Sequence, residues 1–264
     1  MKKQLLIIGI TLLLIVIGLS GCLGPSTKNF NRELEANENT VLKVNNINGK
    51  IKINTWNGDT VTVDAIISSH SKDELENIDI EVNEIDNVID IETKYLGVGS
   101  VEAITDMTIK VPNIVTIDTI STSNGNVQIS GTKGNISAHS SNGAIKIEDV
   151  DGYVKASSSN GNLEIKGTTG IDDLDTSNGE IYVEIFDFKA DANIGSSNGR
   201  IRAYINPSLN ADIEMRTSNG QISISGVSLS LTISEEKHKV GKLGEGGNKL
   251  YIHTSNGNIN LYKL

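Results

Sequence analysis

The sequence has few of the residues that carry most protein chemistry. It contains one cysteine in 264 residues, three prolines, one tryptophan and only 4% aromatics. With Cys22 alone, no intrachain disulfide can form and no paired-cysteine metal or redox motif exists. There is also no basic stretch. The formal charge is −10, and setting aside Lys2 and Lys3 leaves 23 − 2 = 21 basic against 33 acidic residues, or −12. Phosphate contacts need clustered Lys and Arg, so a nucleic-acid partner is not expected. The four histidines (His70, His139, His238 and His253) fit no H-E-x-x-H or paired-ligand spacing, and no G-x-S-x-G elbow is present. No catalytic, metal or cofactor site is therefore expected. Beyond residue 19, no stretch approaches the roughly 20 apolar residues of a membrane helix.

The N-terminus reads as a targeting segment. Lys2 and Lys3 precede an apolar run from Leu5 to Leu19, followed by Leu19-Ser20-Gly21-Cys22. That tetrad resembles a prokaryotic lipobox, which implies that 1–21 is a lipoprotein signal peptide and that Cys22 is lipidated and becomes the new N-terminus. A plain N-terminal membrane anchor with an incidental cysteine is the alternative. Residues 22–39, polar from Gly24 onward, are expected to be a tether. The expected location is extracytoplasmic, attached to the cell membrane by a lipid but not spanning it.

Most of the remaining chain is a repeat. The pair Asn-Gly, always preceded by Ser, occurs at Asn124–Gly125, Asn142–Gly143, Asn160–Gly161, Asn178–Gly179, Asn198–Gly199, Asn219–Gly220 and Asn256–Gly257. Successive asparagines are 18, 18, 18, 20, 21 and 37 residues apart. Aligned on the Asn, the third residue after it is always apolar: Val127, Ile145, Leu163, Ile181, Ile201, Ile222 and Ile259. The second residue before it is always Ser or Thr: Thr122, Ser140, Ser158, Thr176, Ser196, Thr217 and Thr254. Period-2 alternation inside such a repeat means short strands with one face inward. One repeat cannot bury its own apolar column, but coils stacked about 4.8 Å apart can. The expected fold is all-β: a single-chain parallel β-solenoid of about 18 residues per coil over 112–264, preceded by a less regular β-rich part over 40–111.

The Asn-Gly pair is read as a structural corner. Asn tolerates the left-handed backbone region and Gly adopts it freely, so the pair is expected to supply a sharp, unstrained turn. Stacked asparagines and hydroxyls are expected to form ladders. The rival, a cation array, needs a carboxylate at fixed spacing in every repeat, and the residue after Gly is Asn, Ala, Asn, Glu, Arg, Gln and Asn. Residues near 227–254 are expected to form a capping hairpin, with an extra coil lacking the Ser-Asn-Gly corner as the alternative. The corner motif also appears in degenerate form at Ile47-Asn48-Gly49.

The set TSNGNVQI, SSNGAIKI and TSNGEIYV, with Ile109 to Pro112 (IKVP) just before the repeats, resembles the prokaryotic putative-adhesin family of β-solenoid domains. The likeness runs from about residue 40 to 264. It implies exposure at the cell surface and attaches no catalytic residues. Outward charges such as Lys146 with Glu164 and Lys155 with Asp173, one coil apart, suit cross-strand ion pairs. Tyr182 and Tyr251 fall in different outward columns, so no aromatic stripe is expected. The leading function is non-catalytic presentation of the solenoid for adhesion or binding to an envelope protein or surface glycan. The alternatives are a self-associating structural module and, less favoured, a polysaccharide-active β-helix enzyme.

Overall fold

The computed structural model describes residues 24–264. The signal segment 1–21 and Cys22 lie outside the described residues. Alternation of Ile, Val and Leu with polar residues produces strands almost throughout. The chain begins β1 (Ser26–Glu35), β2 (Val41–Asn48), β3 (Ile51–Trp56), β4 (Thr60–Ser69), α1 (Lys72–Glu76), β5 (Ile78–Ile85), β6 (Val88–Tyr95) and β7 (Ile104–Pro112). The repeats follow as β8 (Thr116–Asn124), β9 (Val127–Ser130), β10 (Ile136–Ser140), β11 (Ile145–Ser158), β12 (Leu163–Thr176), β13 (Ile181–Ile185), β14 (Ala192–Asn198) and β15 (Ile201–Ile205). Last come β16 (Ala211–Asn219), β17 (Ile222–Ser225), β18 (Ser230–Ser234), β19 (His238–Leu243), β20 (Lys249–Asn256) and β21 (Ile259–Lys263).

Each coil except the outermost, made by β6 and β7, puts one strand before an Asn-Gly corner and one after it, and coils pair in parallel, forming two columns. The first column runs β6–β2–β8–β10, then the last part of β11, the last part of β12, β14, β20 and β16. The second runs β7–β3–β9, then the first part of β11, the first part of β12, β13, β15, β21 and β17. The register stacks like on like: Ile120, Ala138, Ala156, Leu174 and Ile194 in one column, Val127, Ile145, Leu163, Ile181 and Ile201 in the other. All of these side chains are buried between the columns.

Coil order does not follow chain order at either end. The final segment, β20 and β21, lies between the coil of β14 and β15 and the coil of β16 and β17. Likewise β2 and β3 lie inside the outermost coil made by β6 and β7. Two expectations change accordingly. The hairpin expected near 227–254 comprises only β18 and β19, with β19 running antiparallel along the free edge of β16, whereas 249–254 is an interior strand. The tether expected over 22–39 contains β1, which pairs antiparallel with β4 from Ser26↔Ser69 to Glu35↔Thr60. Its alternation places Lys28, Phe30, Arg32 and Leu34 on the inner face, a pattern hidden by its polar composition.

At the second corner the backbone turns through the left-handed region seven residues after the Asn, at Gly131 (φ 67°), Asp149 (φ 55°), Gly167 (φ 57°) and Gly226 (φ 72°). Asp, with a short polar side chain, is one of the few non-glycine residues that visit this region routinely. At the irregular repeat, Val154 pairs with Ile171 and Ala156 with Leu174, so the register slips by one residue. Ile171 is buried and Asp172 exposed.

Candidate functional site

The Asn-Gly edge is built as a continuous hydrogen-bonded rail. Asn124 Nδ2 donates to Asn48 Oδ1, and the pattern repeats through Asn142, Asn160, Asn178, Asn198, Asn256 and Asn219 with distances of 2.6–2.9 Å. Just inside it, the buried hydroxyls of Thr122, Ser140, Ser158, Thr176, Ser196, Thr254 and Thr217 each donate to the carbonyl of the adjacent coil's glycine. Those distances are 2.8–3.3 Å. A buried carbonyl without such a partner is costly, which explains why this position is always Ser or Thr.

The left-handed turn expected at this corner is absent. None of the seven repeat asparagines, and none of the glycines after them, has a φ in the left-handed region. Glycine is required instead by proximity: a Cβ on Gly143, Gly161, Gly179 or Gly199 would fall well inside contact distance of the neighbouring glycine's carbonyl oxygen. The asparagines are thus consumed by one another and offer no open ligand array.

The outer face of the second column carries the densest functional groups. Because β21 lies beside β15, Tyr262 comes against Tyr204, which in turn meets Tyr182. Ring centroids are 4.9 and 5.0 Å apart, with interplanar angles of 25° and 33°. An aromatic stripe therefore forms, contrary to expectation, and its third member becomes adjacent only through the insertion of the last coil. Tyr204 and Tyr262 are register partners and stack along the coil axis, whereas Tyr182 is the partner of Arg202, two residues out of register with Tyr204, and meets its ring at a tilt. Lys166 Nζ lies 4.5 Å over the Tyr182 ring. Burial holds the Tyr182 hydroxyl above its ordinary pKa, with the nearby Glu184 carboxylate adding to it. Lys166 also pairs with Glu164 at 2.5 Å, and this contact lowers the Glu164 carboxyl and raises the Lys166 ammonium. Arg202 pairs with Glu180. Together Glu164, Lys166, Glu180, Tyr182 and Arg202 line a shallow groove of about 200 Å³. Lys146 with Glu164 (3.6 Å) and Lys155 with Asp173 (3.2 Å) are the cross-coil ion pairs the spacing predicts.

Toward the second corner, Tyr153 donates its hydroxyl to Asp187, and Lys189 Nζ sits 3.8 Å over its ring. The carboxylate pushes the Tyr153 hydroxyl up to about 12, with burial adding to it, so it stays protonated and serves as a clasp. With Phe188 buried beside it, the clasp holds the extra residues of the 20-residue repeat in place.

The sequence profile of one protein family, described as Toastrack DUF4097, matches residues 33–262. The chain belongs to the Toastrack DUF4097 family. No curated protein matches it. Among solved structures, it is similar to a putative cell adhesion protein from Clostridium sporogenes, at 17% identity and a TM-score of 0.40, over 90% of this chain and 100% of that one. It is also similar to a putative adhesin from Bacteroides fragilis, at 14% identity and a TM-score of 0.42, over 91% of this chain and 99% of that one.

In this Toastrack chain the histidines stay apart. His139 Nδ1 is 2.9 Å from Ser157 Oγ, and His238 Nε2 is 3.2 Å from Glu214, which also binds Lys249 at 2.7 Å. His253 is half-buried. It stacks on Tyr251 at 4.7 Å and has a buried Nδ1 without a hydrogen-bond partner. Among the described residues, no group of three or more His, Cys, Asp and Glu side chains converges on a point, and no helix is long and apolar enough to cross a membrane.

Proposed function

We propose that this Toastrack chain is an extracytoplasmic lipoprotein, anchored through lipid on Cys22, that presents the outer faces of its solenoid as a non-catalytic binding surface. The partner is a linear polar molecule, an envelope glycan or an extended segment of an envelope protein. The observation carrying this reading is the row of Lys166, Tyr182, Tyr204 and Tyr262 beside Glu164, Glu180 and Arg202, held on consecutive paired strands. Parallel register repeats donors and acceptors about every 4.8 Å, a spacing suited to an extended ligand rather than a compact one. Tyrosine hydroxyls and a guanidinium are groups that recognise hydroxyl, amide or carboxylate partners by hydrogen bonding.

The second reading, a self-associating structural module, needs free coil ends. β19 covers β16 at one end, while β4 and β5 cover β7 and β6 at the other, all antiparallel, which disfavours end-to-end growth. The deciding experiment is a pull-down from native membranes with the intact chain and with Tyr204→Ala. Saturable capture of a glycan or protein that the variant loses supports the binding face. Capture that the variant retains moves the site elsewhere, and concentration-dependent assembly without capture favours the structural module.

A further inference from the structure

We propose that one corner of the domain, made by the Leu96–Ser100 loop with Ile66 and Ile104, seats in the surface of the lipid bilayer beside the anchor. This inference rests on the reading that the N-terminus holds the chain at a membrane. The fold enters from that side. Ser26, the first residue of β1, is four residues past Cys22, so an extended chain keeps the anchor within about 14 Å of it. Ser26 pairs with Ser69, whose hydroxyl donates to Glu74 Oε2 at 2.5 Å. The other oxygen of Glu74 accepts the Glu102 and Ala103 amides, and these bonds together hold that carboxyl below its ordinary pKa. Asn48 Nδ2 fixes the Val101 carbonyl at 2.7 Å, and the Leu96 amide donates to the Asn77 carbonyl at 2.8 Å. The loop is therefore pinned at both ends to the place where the chain enters.

What the loop displays is apolar. Val98, between Gly97 and Gly99, is 100% exposed, and Leu96 is 69% exposed. Ile104 (48%) pairs with Ser68 at the adjoining strand ends, and Ile66 (55%) projects from the same outer face as Ser68. Single exposed apolar residues are ordinary on proteins, but these belong to one corner and that corner adjoins the lipid. The rim carries Asp73, Glu74 and Glu102, so attraction to anionic headgroups is not the driving force. Insertion of apolar side chains into the headgroup and acyl boundary is.

The test uses the full chain reconstituted in neutral phosphatidylcholine vesicles. Single cysteines at Val98→Cys and, on the distant β5–β6 turn, Ile85→Cys carry a polarity-sensitive fluorophore, with the parent chain labelled to give any Cys22 background. The expected result is a blue shift and several-fold stronger quenching by lipids with brominated acyl chains at position 98 than at 85. An Ile104→Cys probe should lose its quenching when Leu96 and Val98 are both replaced by Asp. Equal, water-like signals at 98 and 85 would overturn the seat. The intact mass of the same preparation reports separately whether Cys22 carries lipid. A chain without lipid that stays on the vesicles still decides the seat, because residues 5–19 hold it there. A chain that leaves the vesicles overturns both readings.

Discussion

Asn256 donates its side-chain amide to Asn198 at 2.8 Å, although 58 residues separate them, and accepts from Asn219 at 2.9 Å. The last corner of the chain is thus the middle rung between two earlier ones. The coil of β16 and β17 reaches the rest of the stack through β20 and β21, while the hairpin strand β19 lies on its outer edge. Ending the chain after Asn248 should therefore open a coil-wide slot and release residues 211–243 as a unit. Hydrogen exchange would show lost protection over 211–225 with the strands up to β13 retained. Loss confined to the terminus would contradict the insertion.

Close approach, not turn geometry, determines glycine at the Asn-Gly corner. Gly161→Ala should cost roughly 1–3 kcal/mol or more, since the new methyl must push the Gly143 carbonyl away across a rigid stack. Asn160→Ala removes two exposed side-chain hydrogen bonds, to Asn142 and from Asn178, and should cost about 1 kcal/mol per bond or less. Denaturant midpoints of the two variants should rank in that order.

The second corner should respond in the opposite way. Asp149 holds φ 55°, so Asp149→Gly should be neutral or stabilising, whereas Gly167→Ala, at φ 57°, should cost about 1–2 kcal/mol. Thermal melts of the pair would check the assignment. A destabilised Asp149→Gly would mean that the carboxylate contributes more than the backbone strain removes.

Acidification should weaken the fold in two stages. Burial pushes the His253 ring below its ordinary pKa, partly offset by the Asp175 carboxylate. The unfolded chain then binds the extra proton first, so stability falls as pH drops from about 6.5 toward the lower folded value. The Lys249 hydrogen bond, with His238 adding to it, holds the Glu214 carboxyl below the carboxylate range. Its contribution is present above about pH 4.3 and disappears as pH falls through the folded value. Denaturation midpoints against pH should lose the upper stage in His253→Gln and show a smaller lower stage in Glu214→Gln, with the Glu74 and Glu164 carboxyls supplying the remainder.

Tyr204 links its two neighbours in the stripe, so Tyr204→Ala should remove both ring contacts at a cost of roughly 0.5–1.5 kcal/mol for each pair. On a solenoid stapled by its core, melting should change little while membrane-partner capture falls sharply. A large loss of stability with capture unchanged would make the stripe structural.

What the sequence determined by itself is everything that repeats. Each coil meets its neighbour in register, so the residue at a given position faces its own kind, and the apolar columns, the Ser or Thr hydroxyls and the asparagine rail are all visible as aligned letters. The reason for glycine at the corner was not visible, because one letter serves both left-handed backbone and close approach, and only the distance to the adjacent coil separates the two. Nor was the order of the coils. A corner specifies what it stacks against, but all corners are alike, so the repeat cannot say which neighbour it takes. That choice is made by the non-repeating parts. β19 occupies the outer edge of β16, and β4 and β5 occupy those of β7 and β6, leaving the terminal coils to fill the slots inside. The aromatic stripe depends on that choice, because Tyr262 reaches Tyr204 only after the last coil has been inserted.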